Sequence, residues 1–304
     1  MSEGDAYEAA RATLRRSLVG GGRFTWVREP RSPLAVTLWP YSQVLHAYAL
    51  SDPVSGPARF PGLARGLRAY RDPKGAYRET PVRGDRYYDD NAWVALALMQ
   101  HQAFSADDTW RERAAGIEKF IETGFDPQTG AIRWVEDGDT LNACSTGAAA
   151  LLRILLDKPI DAELDFLASL RNSEGLVRDH VRADGTIEPS VYSYNQGLLL
   201  AAAMRAGHRQ LADEAAAAGA AFFTVERLWD QPVCFNAVYV KAQLRHGQDD
   251  NVRRYAQRLA DQGPDDRGWF TQAGRYDDGK VLDTAGALQI LTLVAFPHLI
   301  DRAI

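Results

Sequence analysis

The sequence predicts an all-α fold of the (α/α)6 barrel type, a six-hairpin toroid with one ring of helices inside another. Three observations predict it. Helical patterning runs along nearly the whole chain with few strand-like segments, two kinds of helix alternate, and the alternation recurs every 42 to 56 residues.

The first kind of helix begins near Tyr7, Phe60, Thr109, Ile160, Arg209 and Asp249. Twelve-residue windows from these points hold 24 charged residues, and each shows one apolar stripe and one solvated face. The second kind begins near Trp39, Asn91, Ser145, Asn195, Phe235 and Asp283, and equal windows there hold only 5 charged residues. Helices that are apolar all round must be surrounded by protein. Six buried helices alternating with six half-exposed ones fit a closed double ring better than an open solenoid, whose two layers would share a more uniform polarity. No Pro/Ser-rich or low-complexity stretch interrupts residues 1–304, so the chain reads as a single repeat-built domain.

Composition excludes several functions. Hydrophobic residues at 46% and charged residues at 25% are ordinary for a globular protein, and the net charge of −5 offers no basic footprint for nucleic acid. No apolar run is long enough for a bilayer. The acidic, polar start Met1-Ser-Glu-Gly-Asp5 lacks the basic and apolar parts of a signal peptide, which predicts a cytoplasmic protein unless a leader has been removed. A monomer is expected. Cys144 and Cys234 are too few for a disulfide framework or a zinc site and are expected to be buried free thiols. Gly-Lys phosphate loops, Gly-x-Ser-x-Gly elbows and His-Glu-x-x-His motifs are missing, and no metal or organic cofactor is expected.

Residues able to bind or react collect where the charge-poor helices begin. The segments are Trp39-Pro-Tyr-Ser-Gln43, Tyr87-Tyr-Asp-Asp-Asn-Ala-Trp93, Asn142-Ala-Cys-Ser-Thr-Gly147, Tyr192-Ser-Tyr-Asn-Gln-Gly197, Cys234-Phe-Asn236 and Leu282-Asp-Thr284. In a barrel of helical hairpins these starts share one rim and converge on one cavity. Ser, Thr, Asn and Asp are good N-caps, so capping accounts for many of them singly. It does not account for Trp39, Tyr88, Trp93 and Tyr194, or for the amides of Gln43 and Gln196. Aromatic faces beside amides and carboxylates suit a sugar, whose ring presents C–H patches and hydroxyls together. The candidate substrate-binding set is therefore Trp39, Gln43, Tyr88, Asn91, Trp93, Asn142, Thr146, Tyr194, Asn195 and Gln196, and the expected partner is an oligosaccharide or polysaccharide.

Asp-Asp occurs five times. The pairs at 107–108 and 249–250 open charge-rich helices, and those at 265–266 and 277–278 sit in glycine-containing turns, where local chemistry explains them. Asp89-Asp90 differs, because it leads straight into the uncharged segment Asn91–Met99. Carboxylates held against a buried helix are costly to desolvate. Two such acids about 5 Å apart suit a retaining glycosidase, one attacking the anomeric carbon while its neighbour protonates the leaving oxygen. The helix N-terminus favours the anion of the capping residue, which makes Asp89 the expected cap and nucleophile.

These residues resemble glycoside hydrolase family 76, the endo-α-1,6-mannanases and their relatives. The resemblance is carried by Tyr88-Asp89-Asp90-Asn91-Ala92-Trp93, Trp39-Pro40 with Gln43, Ser145-Thr146-Gly147-Ala148 and Tyr194-Asn195-Gln196-Gly197. It implies the (α/α)6 barrel, a retaining mechanism on an α-mannosidic linkage, Asp89 as nucleophile and Asp90 as acid/base, with no metal or cofactor. Two other readings share the barrel. A sugar epimerase or isomerase would move a proton with histidines, of which only His46 falls inside a charge-poor helix. A degenerate homologue would bind sugar without cleaving it.

Overall fold

A computed structural model describes residues 1–21, 24–271 and 280–304. Its helices in chain order are α1 (Glu3–Arg16), α2 (Leu38–Ser51), α3 (Phe60–Gly66), α4 (Tyr88–Ser105), α5 (Thr109–Ile121), α6 (Ala143–Leu155) and α7 (Asp161–Ser169). They continue with α8 (Ser193–Ala206), α9 (Arg209–Phe222), α10 (Val225–Trp229), α11 (Val233–His246), α12 (Asp250–Gln262) and α13 (Lys280–Ala295). The six charge-poor segments are α2, α4, α6, α8, α11 and α13, each starting within three residues of its expected place. They form the inner ring. Each packs on the next in chain order, and α13 returns to pack on α2, so the ring is closed and the solenoid is rejected.

Polarity explains the two layers. In outer helix α12 the buried residues Val252, Tyr255, Ala256, Leu259 and Ala260 fall on one stripe at helical spacing. In inner helix α4 every residue from Asp90 to Gln100 is buried. Glycines let the inner helices approach closely. A Cβ on Gly197 of α8 would lie 2.7 Å from the Tyr239 Cα of α11, and one on Gly286 of α13 would lie 2.7 Å from the Cys234 nitrogen. Any side chain there would force the ring open.

Connections from an inner to an outer helix are short, as at 106–108 and 207–208, whereas those from outer to inner are long, as at 67–87, 122–142 and 170–192. All the long ones therefore lie on the rim where the inner helices begin. They carry three antiparallel two-stranded pairs: β1 (Leu18–Gly21) with β2 (Phe24–Val27), β3 (Phe125–Asp126) with β4 (Ala131–Ile132), and β5 (Leu141–Asn142) with β6 (His180–Val181). The last pair, with Leu141 opposite Val181, ties the loop before α6 to the loop before α8.

Two sets of hydrogen bonds anchor these loops. The first amide of an inner helix is satisfied from the loop that leads into the next one: Leu38 N donates to the Glu79 carbonyl, Tyr88 N to Trp134 and Ala143 N to Asp179. Ser193 N donates to Gln231 Oε1. In α13 the second amide, Val281 N, donates to the Glu29 carboxylate ahead of α2.

The second set uses side chains near the fourth helical position, each latching the loop before its own helix. Tyr41 Oη donates to the Thr25 carbonyl, Asn91 Oδ1 accepts from Tyr77 N, and Thr146 Oγ1 accepts from Ile132 N. Gln196 Oε1 accepts from Val177 N, Asn236 Nδ2 donates to the Leu228 carbonyl, and Thr284 Oγ1 donates to the Phe270 carbonyl. Every inner helix thus repeats one device.

Of the remaining Asp pairs, Asp107 Oδ1 accepts from Thr109 N beside α5, Asp249 stands at the N-cap of α12, and Asp265 Oδ1 accepts from Arg267 N and Trp269 N in a turn. Asp277-Asp278 lies outside the described residues. No described helix is long and apolar enough to cross a membrane. Cys144 and Cys234 are buried free thiols.

Candidate active site

A cavity of about 480 Å³ opens on the rim where the inner helices start. Its wall is built mainly from the second helical position: Trp39 of α2, Asp89 of α4, Cys144 of α6 and Tyr194 of α8. Asp90, Trp93 one turn further along α4, and Phe235 of α11 complete the helical part. The second and fourth positions are about 200° apart around a helix, so one faces the cavity while the other faces the outer loops.

Aromatic pairs form the sides. Trp39 meets Trp93 with ring centroids 5.7 Å apart, Tyr194 stacks on Phe235 at 4.0 Å, and Tyr87 meets Trp134 edge-on at 5.1 Å. Trp134 belongs to the loop between β4 and β5, and is 42% exposed at the mouth.

Asp89 and Asp90 stand in the first turn of α4, at its positive end, but neither is the cap: the N-cap residue is Tyr87. This corrects the expectation that Asp89 caps the helix, because α4 begins one residue earlier, at Tyr88, and Asp89 falls inside its first turn. Asp89 is instead gripped by donors on both oxygens. Its Oδ1 accepts from Asp90 N at 2.9 Å, and its Oδ2 accepts from Trp134 Nε1 at 3.1 Å and from the Cys144 thiol at 3.4 Å.

No hydrogen-bond donor reaches the Asp90 carboxyl group among the described residues. Burial raises the pKa of both acids. The three donors oppose burial at Asp89, whose pKa rises to about 6. At Asp90 burial acts together with the charges of Asp89 and Glu79, and its pKa is pushed well above the carboxylate range. Burial thus holds both acids toward the neutral form, but donors favour the anion at Asp89 while neighbouring charges oppose it at Asp90.

The far wall carries a second polar unit. Asp179 Oδ2 lies 2.9 Å from His180 Nδ1, and Asp179 Oδ1 accepts from Asn195 Nδ2 at 3.1 Å. Both Asp179 and His180 line the cavity, as do Glu79 and Thr140.

The structure sorts the sequence candidates into two groups. Asp89, Asp90, Trp39, Trp93, Asn142 and Tyr194 line the cavity. Gln43, Tyr88, Asn91, Thr146, Asn195 and Gln196 do not, which corrects their expected contact with substrate. Asn91, Thr146 and Gln196 face outward as latches. Gln43 is buried and accepts from Gln289 of α13. Tyr88 stacks on Phe120 of α5 at 4.7 Å, and Asn195 lies behind Asp179.

Tyr87, Trp134, Cys144, Asp179, His180 and Phe235 line the cavity without having been singled out. Tyr87, Cys144 and Phe235 stand in the polar–aromatic segments, and a helical count from Asp89 would have turned Cys144 inward. Trp134 and the Asp179–His180 unit come from loops, where spacing carries no direction. His46 is buried beneath the cavity, with Nε2 2.9 Å from the Trp93 carbonyl. Among the described residues no group of three or more His, Cys, Asp or Glu could hold a metal ion.

An α/α barrel with an aromatic-walled cavity lined by two adjacent acids defines a carbohydrate-active protein of the helical-toroid class. The chain belongs to glycosyl hydrolase family 76, whose family model matches residues 28–205. No curated protein matches it in sequence.

Solved structures match over nearly the full length. A family 76 mannosidase from Bacteroides thetaiotaomicron VPI-5482 has a TM-score of 0.80 at 16% identity, covering 96% of this chain and 98% of that one. An inactive variant of the family 76 α-1,6-mannanase from Salegentibacter sp. HEL1_6, with two consecutive aspartates replaced by asparagine and α-1,6-mannotriose bound, has a TM-score of 0.76 at 15% identity, covering 96% and 98%. A D-mannose isomerase has a TM-score of 0.71 at 11% identity, covering 97% of both chains. At these identities the likeness is one of fold.

Proposed function

We propose that this protein is a retaining glycosidase that cleaves an α-mannosidic bond, of the α-1,6-mannan or mannooligosaccharide type, with Asp89 as nucleophile and Asp90 as acid/base. One observation carries the reading: Asp89 accepts three hydrogen bonds that favour its anion, while among the described residues no donor reaches Asp90, so the two adjacent acids are set up for unlike roles. Family membership and the paired aspartates of the Salegentibacter mannanase support the choice of substrate.

In the first step an Asp89 oxygen bonds to the anomeric carbon as the glycosidic C–O bond breaks, and the Asp90 proton goes to the departing oxygen. In the second, Asp90, now a carboxylate, takes a proton from water while the water oxygen displaces Asp89 from the anomeric carbon. The aromatic pairs exclude water from the sugar faces, and Trp134 and Cys144 hold the attacking oxygen in place.

The test is an assay of wild type, Asp89→Asn and Asp90→Asn on α-1,6-mannooligosaccharides and aryl α- and β-glycosides, with the anomer of the first product read by NMR. Cleavage of an α-mannoside with retained configuration is expected. Full activity in Asp89→Asn would reject the assignment, and an inverted first product would reject the nucleophile. The Asp179–His180 unit in the cavity is the observation that favours an isomerase. That reading requires loss of activity in His180→Ala while Asp89→Asn stays active.

A further inference from the structure

A second cavity, of about 550 Å³, lies beside the first and is walled by aliphatic rather than mainly aromatic side chains. It is a groove between the β1–β2 hairpin and two loops, with Val19, Trp26, Leu34, Pro81 and Val82 on its walls and Arg28 and Arg83 also lining it. Its volume is in the range of small-molecule sites. Six large hydrophobic side chains are exposed among the described residues, and three of them, Trp26 at 39%, Leu34 at 73% and Val82 at 81%, meet in this groove. Such concentration of exposed apolar surface marks an interaction site rather than ordinary scatter.

Three features define the occupant. The groove adjoins the catalytic cavity, because both are built on the same two segments: Ala35 and Thr80 line the groove, whereas Thr37 and Glu79 line the cavity. The Leu38 N to Glu79 carbonyl hydrogen bond clamps these segments together. Aliphatic walls of Val, Leu and Pro offer a sugar few hydrogen bonds but suit a hydrocarbon chain. Arg28 and Arg83 have no ion-pair partner among the described residues, in a protein of net charge −5, so an anionic group is the complement they lack.

We infer that the groove binds the apolar, anionic end of an amphiphilic glycan while its sugar end occupies the catalytic cavity. The inference rests on the glycosidase reading for the sugar end alone. The substrate class is then a glycan joined to an alkyl or acyl chain through an anionic headgroup.

Calorimetric titration of the whole protein with dodecyl phosphate, at concentrations where the probe stays monomeric, tests this. Inorganic phosphate and α-1,6-mannotetraose are the companion probes. One site is expected for dodecyl phosphate and none for inorganic phosphate. Leu34→Asp and Val82→Asp, both at exposed positions, should each weaken binding by about tenfold, the loss that follows from no longer burying one aliphatic side chain. The pair Arg28→Ala with Arg83→Ala should weaken it by roughly fivefold and flatten its salt dependence. Hydrolysis of mannotetraose should stay within about twofold in all these variants, since each changed residue lies outside the catalytic cavity.

Failure of dodecyl phosphate to bind, or equal binding by Leu34→Asp, overturns the inference. Mannotetraose affinity that falls in Leu34→Asp would give the groove to the glycan instead. A dimer that Leu34→Asp dissociates would give it to a second copy of the chain. If wild type leaves mannotetraose uncut, the glycosidase reading fails by itself, and the titration still decides the groove.

Discussion

At the start of each inner helix, two kinds of reactive-looking residue stand two positions apart and have different fates. The second-position ring, Trp39, Asp89, Cys144 and Tyr194, faces the cavity. The fourth-position ring, Tyr41, Asn91, Thr146, Gln196 and Asn236, turns the other way and binds backbone of the loops. Both rings are polar or aromatic and both sit at the ends of apolar helices. Hydrogen-bonding partners distinguish them. The latches are satisfied by main chain and hold the rim in shape, whereas beside the cavity ring stands a carboxyl group, Asp90, that no donor reaches among the described residues. A site of this kind trades stability for chemistry.

Substitutions on the two rings should therefore separate activity from stability. The largest effect is expected in Asp89→Asn, which should lower kcat on an α-mannoside by about a thousandfold or more while the protein stays folded by circular dichroism. Asn91→Ala, on the latch ring, should do the reverse. It strands the amide and carbonyl of Tyr77 and should cost on the order of 2–4 kcal/mol in urea unfolding. The kcat of its folded fraction should stay within about threefold. Loss of activity without loss of stability in Asn91→Ala would break the division between the rings.

A third expectation concerns the sign of the electrostatics. The Asp89 pKa is raised from 3.8 to about 6 in the folded protein, so the native state holds that proton more tightly than the unfolded chain. Stability should fall as pH rises from about 4 to 6, by on the order of 2–3 kcal/mol from this group. Asp89→Asn, lacking the titration, should be the more stable protein at pH 7 and should lose that advantage at pH 4. Chemical denaturation of both proteins at the two pH values measures it.

The smallest effect sharpens the role of Cys144. The kcat/KM profile should fall on the acid side near pH 6 as Asp89 takes up a proton. Cys144→Ala removes one donor to Asp89 and should move that limb upward by roughly half a unit to one unit. Cys144→Ser, which restores a donor, should move it back. A limb that stays put in both variants would make the thiol a packing group only.

The sequence by itself determined the layers. The contrast in charge between the two helix kinds sets which helix is buried and which is half exposed, because desolvating charged side chains is prohibitive and solvating apolar ones is costly. Six alternations left the double ring as the arrangement to expect. It also marked the rim as the reactive end and separated Asp89-Asp90 from the other acid pairs.

Direction and partnership were decided by tertiary structure. That Asn91, Thr146 and Gln196 look outward depends on the exact residue at which each inner helix begins, and one position turns a side chain by about 100°. Trp134 and Asp179–His180 reach the cavity because long loops fold back over the rim, anchored by bonds between neighbouring repeats that no local pattern encodes. Apolar and charged character is a property each residue carries alone, and so it is legible in the chain. Which donor meets which oxygen exists only once distant segments are brought together.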